Sequence, residues 1–191
     1  GTLANGVDPT AFEGAAPTID LPHPLVGMVA RLAPEKAPGD FLALAAAVPQ
    51  ANFALVGEGP LRDELEQQAG TNVHFLGFRD DMAGVYASLD VLVQPSYREG
   101  MPMTILEAMA AGVPVVASRV GAAEDVIEDG RTGMLYDAGD VPALIAAVRL
   151  ALSDEGRDAG KAAKDAVAAQ FTVDEMARRY AEQYRRVRGG R

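Results

Sequence analysis

From Leu25 onward the chain alternates short apolar, largely β-branched runs with segments of helical spacing, and that alternation narrows the architectures open to it. Strands are predicted near Leu25 to Ala30, Asn52 to Val56, Val73 to Leu76, Val91 to Val93, Val113 to Ala117 and Gly133 to Tyr136. Helices are predicted between and after them, near Gly39 to Val48, Leu61 to Gln68, Met82 to Leu89, Met103 to Ala111, Ala122 to Glu128 and Pro142 to Leu152. Strands that are apolar on both faces belong in a parallel sheet covered on both sides. The expectation is an α/β chain, a doubly wound parallel sheet of about six strands with flanking helices, whose ligands lie beyond the carboxyl ends of the strands. A length of 191 residues allows one domain with a full core.

Composition limits the chemistry. A net charge of -10 argues against a nucleic-acid backbone as partner, so any phosphate must be bound locally by few cations. The absence of Cys removes disulfides, thiolate metal sites and Cys nucleophiles. The two His residues, His23 among prolines and His74 inside a predicted strand, are isolated, and neither a metal nor a cofactor is expected. No apolar run approaches the roughly 18 residues of a membrane span, and no cleavable signal pattern is present, so the expected compartment is the cytoplasm. The sequence starts without Met, in GTLANGVDPTAF, as a fragment or processed domain would. Residues 1–24 carry turn signals without periodicity and read as a linker.

The stretch from Gln94 to Ser118 concentrates the chemistry. It reads as a strand end, a loop carrying Glu99, a helix carrying Glu107 with Pro102 at its first position, a stop at Gly112 and a second buried strand. A helix entered from such a loop presents free N–H groups backed by the positive end of its dipole, an anion site. Gly100 permits close approach, and the amides around Met101 and Met103 are the expected donors. Carboxylates beside a phosphate site suit a ligand that also carries hydroxyls, which points to a sugar nucleotide. Taken singly, Glu99 and Glu107 also read as solvated surface residues.

Glu99, Gly100, Pro102 and Glu107, followed by AMAAGVPVVAS, closely resemble the E-x7-E motif of retaining glycosyltransferases of the GT-B fold, family 4, also called group 1. The resemblance implies a Rossmann-like domain, the C-terminal half of a GT-B fold. It further implies that Glu99 contacts the donor sugar and Glu107 the ribose of the nucleotide. VARLAPEK resembles the family segment in which Arg and Lys hold the donor diphosphate, which assigns Arg31 and Lys36. A guanidinium that grips phosphate bidentately and a mobile ammonium suit a leaving group whose charge grows. Alone, the pair reads more readily as exposed cations partnered by Glu35 or Asp40. The sequence departs from the family pattern at Ala30 and at Ala37-Pro38, where glycine is usual.

The turn Gly57-Glu58-Gly59-Pro60 allows close approach at the second strand end, and FLGFRDD resembles the segment whose backbone meets the nucleobase, here Phe78 and Arg79. GAAEDVIEDGRTG also resembles a family segment and receives no direct role. The last helix, Thr172 to Val187, opens with a Thr172/Glu175 capping box and places Val173, Met176, Ala177, Tyr180, Tyr184 and Val187 on one stripe. Such a stripe is usually core. In GT-B enzymes the terminal helix returns towards the N-terminal domain, which implies an exposed part here.

The expected organisation is a linker over 1–24, a nucleotide-sugar-binding domain over 25–171 and a returning helix over 172–191. Glu99, Arg31 and Lys36 are the expected catalytic residues, and no metal is implied. Gly57, Phe78, Arg79, Gly100, Met101, Met103 and Glu107 complete the expected donor site. The partners implied are a nucleotide-sugar donor and an N-terminal domain carrying the acceptor site. The arginine-rich C-terminal end fits a solvated helix face or peripheral contact with an anionic membrane. The alternatives left open are a stand-alone nucleotide-sugar-binding module and a related GT-B epimerase or phosphorylase.

Overall fold

The computed structural model describes residues 5–101 and 103–189, with side chains as far as Arg186. Pro102, read above as the first residue of its helix, lies outside the described residues. Six strands, β1 (Leu25–Val29), β2 (Asn52–Val56), β3 (Val73–Gly77), β4 (Val91–Gln94), β5 (Val115–Ser118) and β6 (Met134–Tyr136), form one sheet in the order β3-β2-β1-β4-β5-β6. Every pairing is parallel. The chain steps outward from β1 to β3, then returns to β4 beside β1 and steps outward the other way. The loops leaving β1 and β4 therefore diverge from neighbouring strand ends, the place where such sheets open a crevice.

The helices are α1 (Pro38–Ala47), α2 (Arg62–Gln68), α3 (Met82–Ala87), α4 (Met103–Ala111), α5 (Ala123–Val126), α6 (Val141–Ala151), α7 (Asp154–Gln170) and α8 (Val173–Gly189). They cover both faces, giving two cores. Leu25, Leu92, Ile105, Leu106 and Met109 are fully buried on one side; Val26, Met28, Phe41, Phe53 and Leu144 are fully buried on the other. Each such side chain contributes about 1.5–3 kcal/mol by leaving water.

Among the boundaries that differ from expectation by a residue or two, two have clear local reasons. β5 begins at Val115 rather than Val113, because the Val113 N–H still bonds the Ala108 carbonyl of α4 (2.9 Å) and Pro114 has no N–H to give the ladder. α5 stops at Val126 rather than Glu128, because Ile127 is already extended (φ -100°, ψ 122°) on the way to a bridge between Asp129 and Gly133.

Residues 5–24 pack against the domain. Val7 bridges to Thr172, Phe12 meets Tyr86 edge-on with ring centres 5.9 Å apart, and the Ser88 hydroxyl accepts from the amides of Thr18 and Ile19. In α8 the Thr172 hydroxyl accepts from the Glu175 amide (3.2 Å), but the Glu175 carboxylate turns to Arg178 and Arg179 instead of completing a capping box. The stripe on this helix is largely uncovered: Val173, Tyr180 and Tyr184 are exposed, and Met176 is half-buried. Among the described residues no helix is long and apolar enough to cross a membrane.

Candidate functional site

Leaving β1, the chain passes through the exposed Arg31 into a 3-10 turn over Pro34–Lys36. Ala37 then adopts the left-handed conformation (φ 51°, ψ 47°) before Pro38 opens α1. For an alanine this costs on the order of 1–2 kcal/mol, which explains why glycine is the easier residue at this turn. Beside it, Gly57 (φ +132°) ends β2 so close to β1 that a Cβ would stand 2.1 Å from the Ala30 carbonyl oxygen. The cleft floor at this point is backbone.

A cleft of about 550 Å³ opens over these strand ends. Arg31, Gly57, Phe78, Arg79 and Glu107 all line it. Phe78 is 78% exposed, an aromatic face turned to solvent at the cleft's edge. Arg79 is locked rather than free: its Nε and Nη2 donate to Asp81 (2.7 and 2.5 Å) and its Nη2 to the Thr18 hydroxyl (3.2 Å). The hydrogen bonds from that guanidinium hold the Asp81 carboxyl well below the usual range. Glu107 projects from α4 and takes one hydrogen bond on Oε2, from the Tyr86 hydroxyl at 2.7 Å. Burial, reinforced by the Glu107 charge, pushes the Tyr86 phenol upward, so it stays a donor.

A second cleft of about 500 Å³ lies over the β1 and β4 loops, lined by Glu35, Lys36, Arg98, Glu99 and Gly100. The Glu99 side chain is only 7% exposed. Its Oε1 accepts three hydrogen bonds of 2.6 Å each, from Lys36 Nζ, Gln94 Nε2 and Ser96 Oγ. Lys36 is thus paired with Glu99, not with Glu35 or Asp40. The Glu35 carbonyl accepts from the Tyr97 amide (2.9 Å), which ties the two loops together. Thr104, which lines the first cleft, donates to Gln94 Oε1 (3.2 Å), so Gln94 stands between the two clefts.

The fold therefore distributes the expected site residues over two clefts: Arg31, Gly57, Phe78, Arg79 and Glu107 in one, Lys36, Glu99 and Gly100 in the other. The half-buried side chains of Met101 and Met103 pack against the core. Sequence reasoning missed Tyr86, Gln94 and Ser96, buried groups that reach the two carboxylates from behind. The available signal was a polar Gln and Ser continuing the apolar run VLV, at the point where a strand runs out into a binding loop. Among the described residues no group of three or more His, Cys, Asp or Glu could hold a metal ion.

Comparison with known proteins agrees with this architecture. The chain is 38% identical over 150 residues to sulfoquinovosyl transferase SQD2 of Arabidopsis thaliana, covering 74% of this chain and 29% of that protein. It is 37% identical over 173 residues to a GDP-mannose-dependent alpha-mannosyltransferase of Mycolicibacterium smegmatis, covering 86% of this chain and 46% of that protein. The chain thus spans less than half the length of either relative. The structure superposes with a TM-score of 0.76 and 30% identity on Anabaena HepE, solved in complex with UDP and glucose, over 84% of this chain and 48% of that one. A profile of the family described as Glycosyl transferases group 1 matches residues 23–154, and the chain belongs to that family.

Proposed function

We propose that this chain is the donor-binding domain of a retaining glycosyltransferase that moves a sugar from a nucleoside diphosphate to an acceptor hydroxyl. The observation that carries this reading is the convergence of two cations and two carboxylates, from the loops after β1 and β4 and from α4, on adjoining clefts at the point where the strand order reverses. The relatives are named for nucleotide-sugar or sugar transfer, and HepE was solved with UDP and glucose.

In this reading Phe78 and the backbone at Arg79 meet the base, and Glu107 accepts from the ribose diol. Arg31 and Lys36 grip the diphosphate, and Glu99 accepts from a sugar hydroxyl. As the bond between the anomeric carbon and the diphosphate oxygen breaks, negative charge accumulates beside Arg31 and Lys36, the role a metal fills in other transferases. The acceptor oxygen bonds the anomeric carbon on the face the diphosphate leaves, and its proton is released. The acceptor site belongs to an N-terminal GT-B partner domain, and the exposed Val173, Tyr180 and Tyr184 of α8 are the apolar surface this reading offers to it. Contact with an anionic membrane is the weaker use of that helix, because Arg178 and Arg179 are already occupied by Glu175 and Glu182. The cytoplasm is the compartment this reading assumes.

Calorimetric titration of the chain with UDP, GDP and ADP tests the proposal. One nucleotide should bind, and Glu107→Ala and Arg31→Ala should each weaken it at least tenfold, the value of about one charge-assisted hydrogen bond. Absence of binding by all three at millimolar concentration would overturn it.

A further inference from the structure

The group that makes Glu99 useful lies behind it. Gln94, Ser96 and Ser118 are buried polar residues at the ends of β4 and β5, 3%, 0% and 1% exposed. Ser118 Oγ donates to the Ser96 carbonyl at 2.5 Å, and Gln94 Nε2 to Ser96 Oγ at 2.9 Å, so the three form one connected network. Its free donors end on a single atom, Glu99 Oε1. The backbone of Glu99 is also held. The Ala122 amide donates to the Gly100 carbonyl (3.0 Å), and Gly121 (φ +59°) lies so close that a Cβ there would meet the Glu99 carbonyl oxygen at 2.3 Å. The GAAE segment, without a role in the sequence reading, thus seats the loop.

From this convergence we infer that Gln94 and Ser96 are positioning residues for donor-sugar recognition, an inference that rests on the donor-site reading above. With Oε1 occupied by three donors, the carboxylate is fixed in one orientation, and Oε2, to which no described residue donates, is the oxygen left for a sugar hydroxyl. Both residues act on the sugar through Glu99 and touch no part of the nucleotide. Their loss should therefore erase the contribution of the sugar to affinity while leaving that of the nucleoside diphosphate in place.

The test compares UDP with UDP-glucose, and GDP with GDP-mannose, by titration of the chain carrying Gln94→Met or Ser96→Ala, with thermal melts to show that each variant folds. The wild type should prefer the sugar conjugate, and each variant should lower that preference about tenfold, the worth of one hydrogen bond to a charged group, with diphosphate affinity unchanged. Gln94→Glu supplies a readout that a packing role would not move. Its carboxyl matches the amide in size but donates only when protonated, and burial beside the Glu99 carboxylate holds the proton well above the ordinary glutamate range, so the preference should be lost at pH 8 and return at pH 5, while the wild type prefers the conjugate at both. A preference that survives Gln94→Met and Ser96→Ala would overturn the positioning role and leave the donor site standing. A wild type that binds conjugate and diphosphate equally would overturn the sugar role of Glu99 and this inference together. No binding of either pair would overturn the donor site itself.

Discussion

Glu99 and Glu107 stand eight positions apart on either side of one helix start, and the fold treats them in opposite ways. Glu99 is buried against a cation and two neutral donors, all on the same oxygen, so most of its charge is answered from within the protein. Glu107 receives a single neutral hydrogen bond, from Tyr86, and otherwise presents its charge to the larger cleft. A carboxylate of the first kind is held rigidly and has little left to offer except direction. One of the second kind keeps its full appetite for donors, as a vicinal diol requires. The difference also involves Lys36, which cannot hold a diphosphate without being shared with, or taken from, Glu99.

The largest effect expected from this contrast is on stability. Removing Lys36 as Lys36→Ala leaves a nearly buried carboxylate without its cation, which should cost about 2–4 kcal/mol. Tyr86→Phe removes only a neutral partner from Glu107 and should cost about 1 kcal/mol. Urea unfolding of both variants checks the difference, and equal losses would break the comparison.

A second effect is on affinity, and here the two glutamates should differ in sign. Glu99→Gln releases Lys36 and removes a negative charge beside it, so the bare nucleoside diphosphate should bind several-fold more tightly, by about 0.5–1 kcal/mol. Glu107→Gln leaves the cations untouched and weakens the ribose contact, lowering affinity for the same ligand about tenfold. Titration with UDP or GDP, whichever binds, decides. Weaker binding by both variants would mean that Lys36 is not held back by Glu99.

Much of the contrast could not be read from the chain. The strands could, because apolar β-branched runs bounded by Gly and Pro have few other uses; β2 and α4 fall on the expected residues, and the other strands and the helices α1, α2, α3, α5 and α6 move by a few positions at their ends. The carboxylates, Arg31 and Lys36 were legible because their spacing resembles a family motif. What spacing does not carry is pairing across strands. Gln94 and Ser96 reach Glu99 from its own strand and loop, Lys36 reaches it from the turn after β1, and Tyr86 reaches Glu107 from α3; nothing in a linear pattern says that these groups converge. The same limit applies to α8, whose stripe has core-like spacing and is nonetheless exposed, since periodicity tells which residues share a face but not whether anything covers it. At Ala37, where the family usually has glycine, the alanine itself takes up the left-handed conformation (φ 51°), at modest cost.

A third carboxylate extends the series to its exposed end, and it should show the smallest effect. Glu175 lies in the first turn of α8, where hydrogen bonds from Arg178 and then Arg179 bring its carboxyl down from the usual 4.5 to about 2. A depressed carboxylate adds stability that is fully present above its unfolded value and is lost as the pH falls through its folded one. The α8 contribution should therefore be constant above about pH 4.5 and disappear towards pH 2. The arginines lie largely in water around a half-buried carboxylate, so high salt should also weaken it, and the global melting temperature should hardly register the change. Carboxyl carbon NMR resolves it: Glu175 should titrate near pH 2 in the wild type and near 4.5 with Arg178→Ala and Arg179→Ala combined. A wild-type midpoint already at 4.5 would show that ion pairs at this surface do not hold the Glu175 carboxylate.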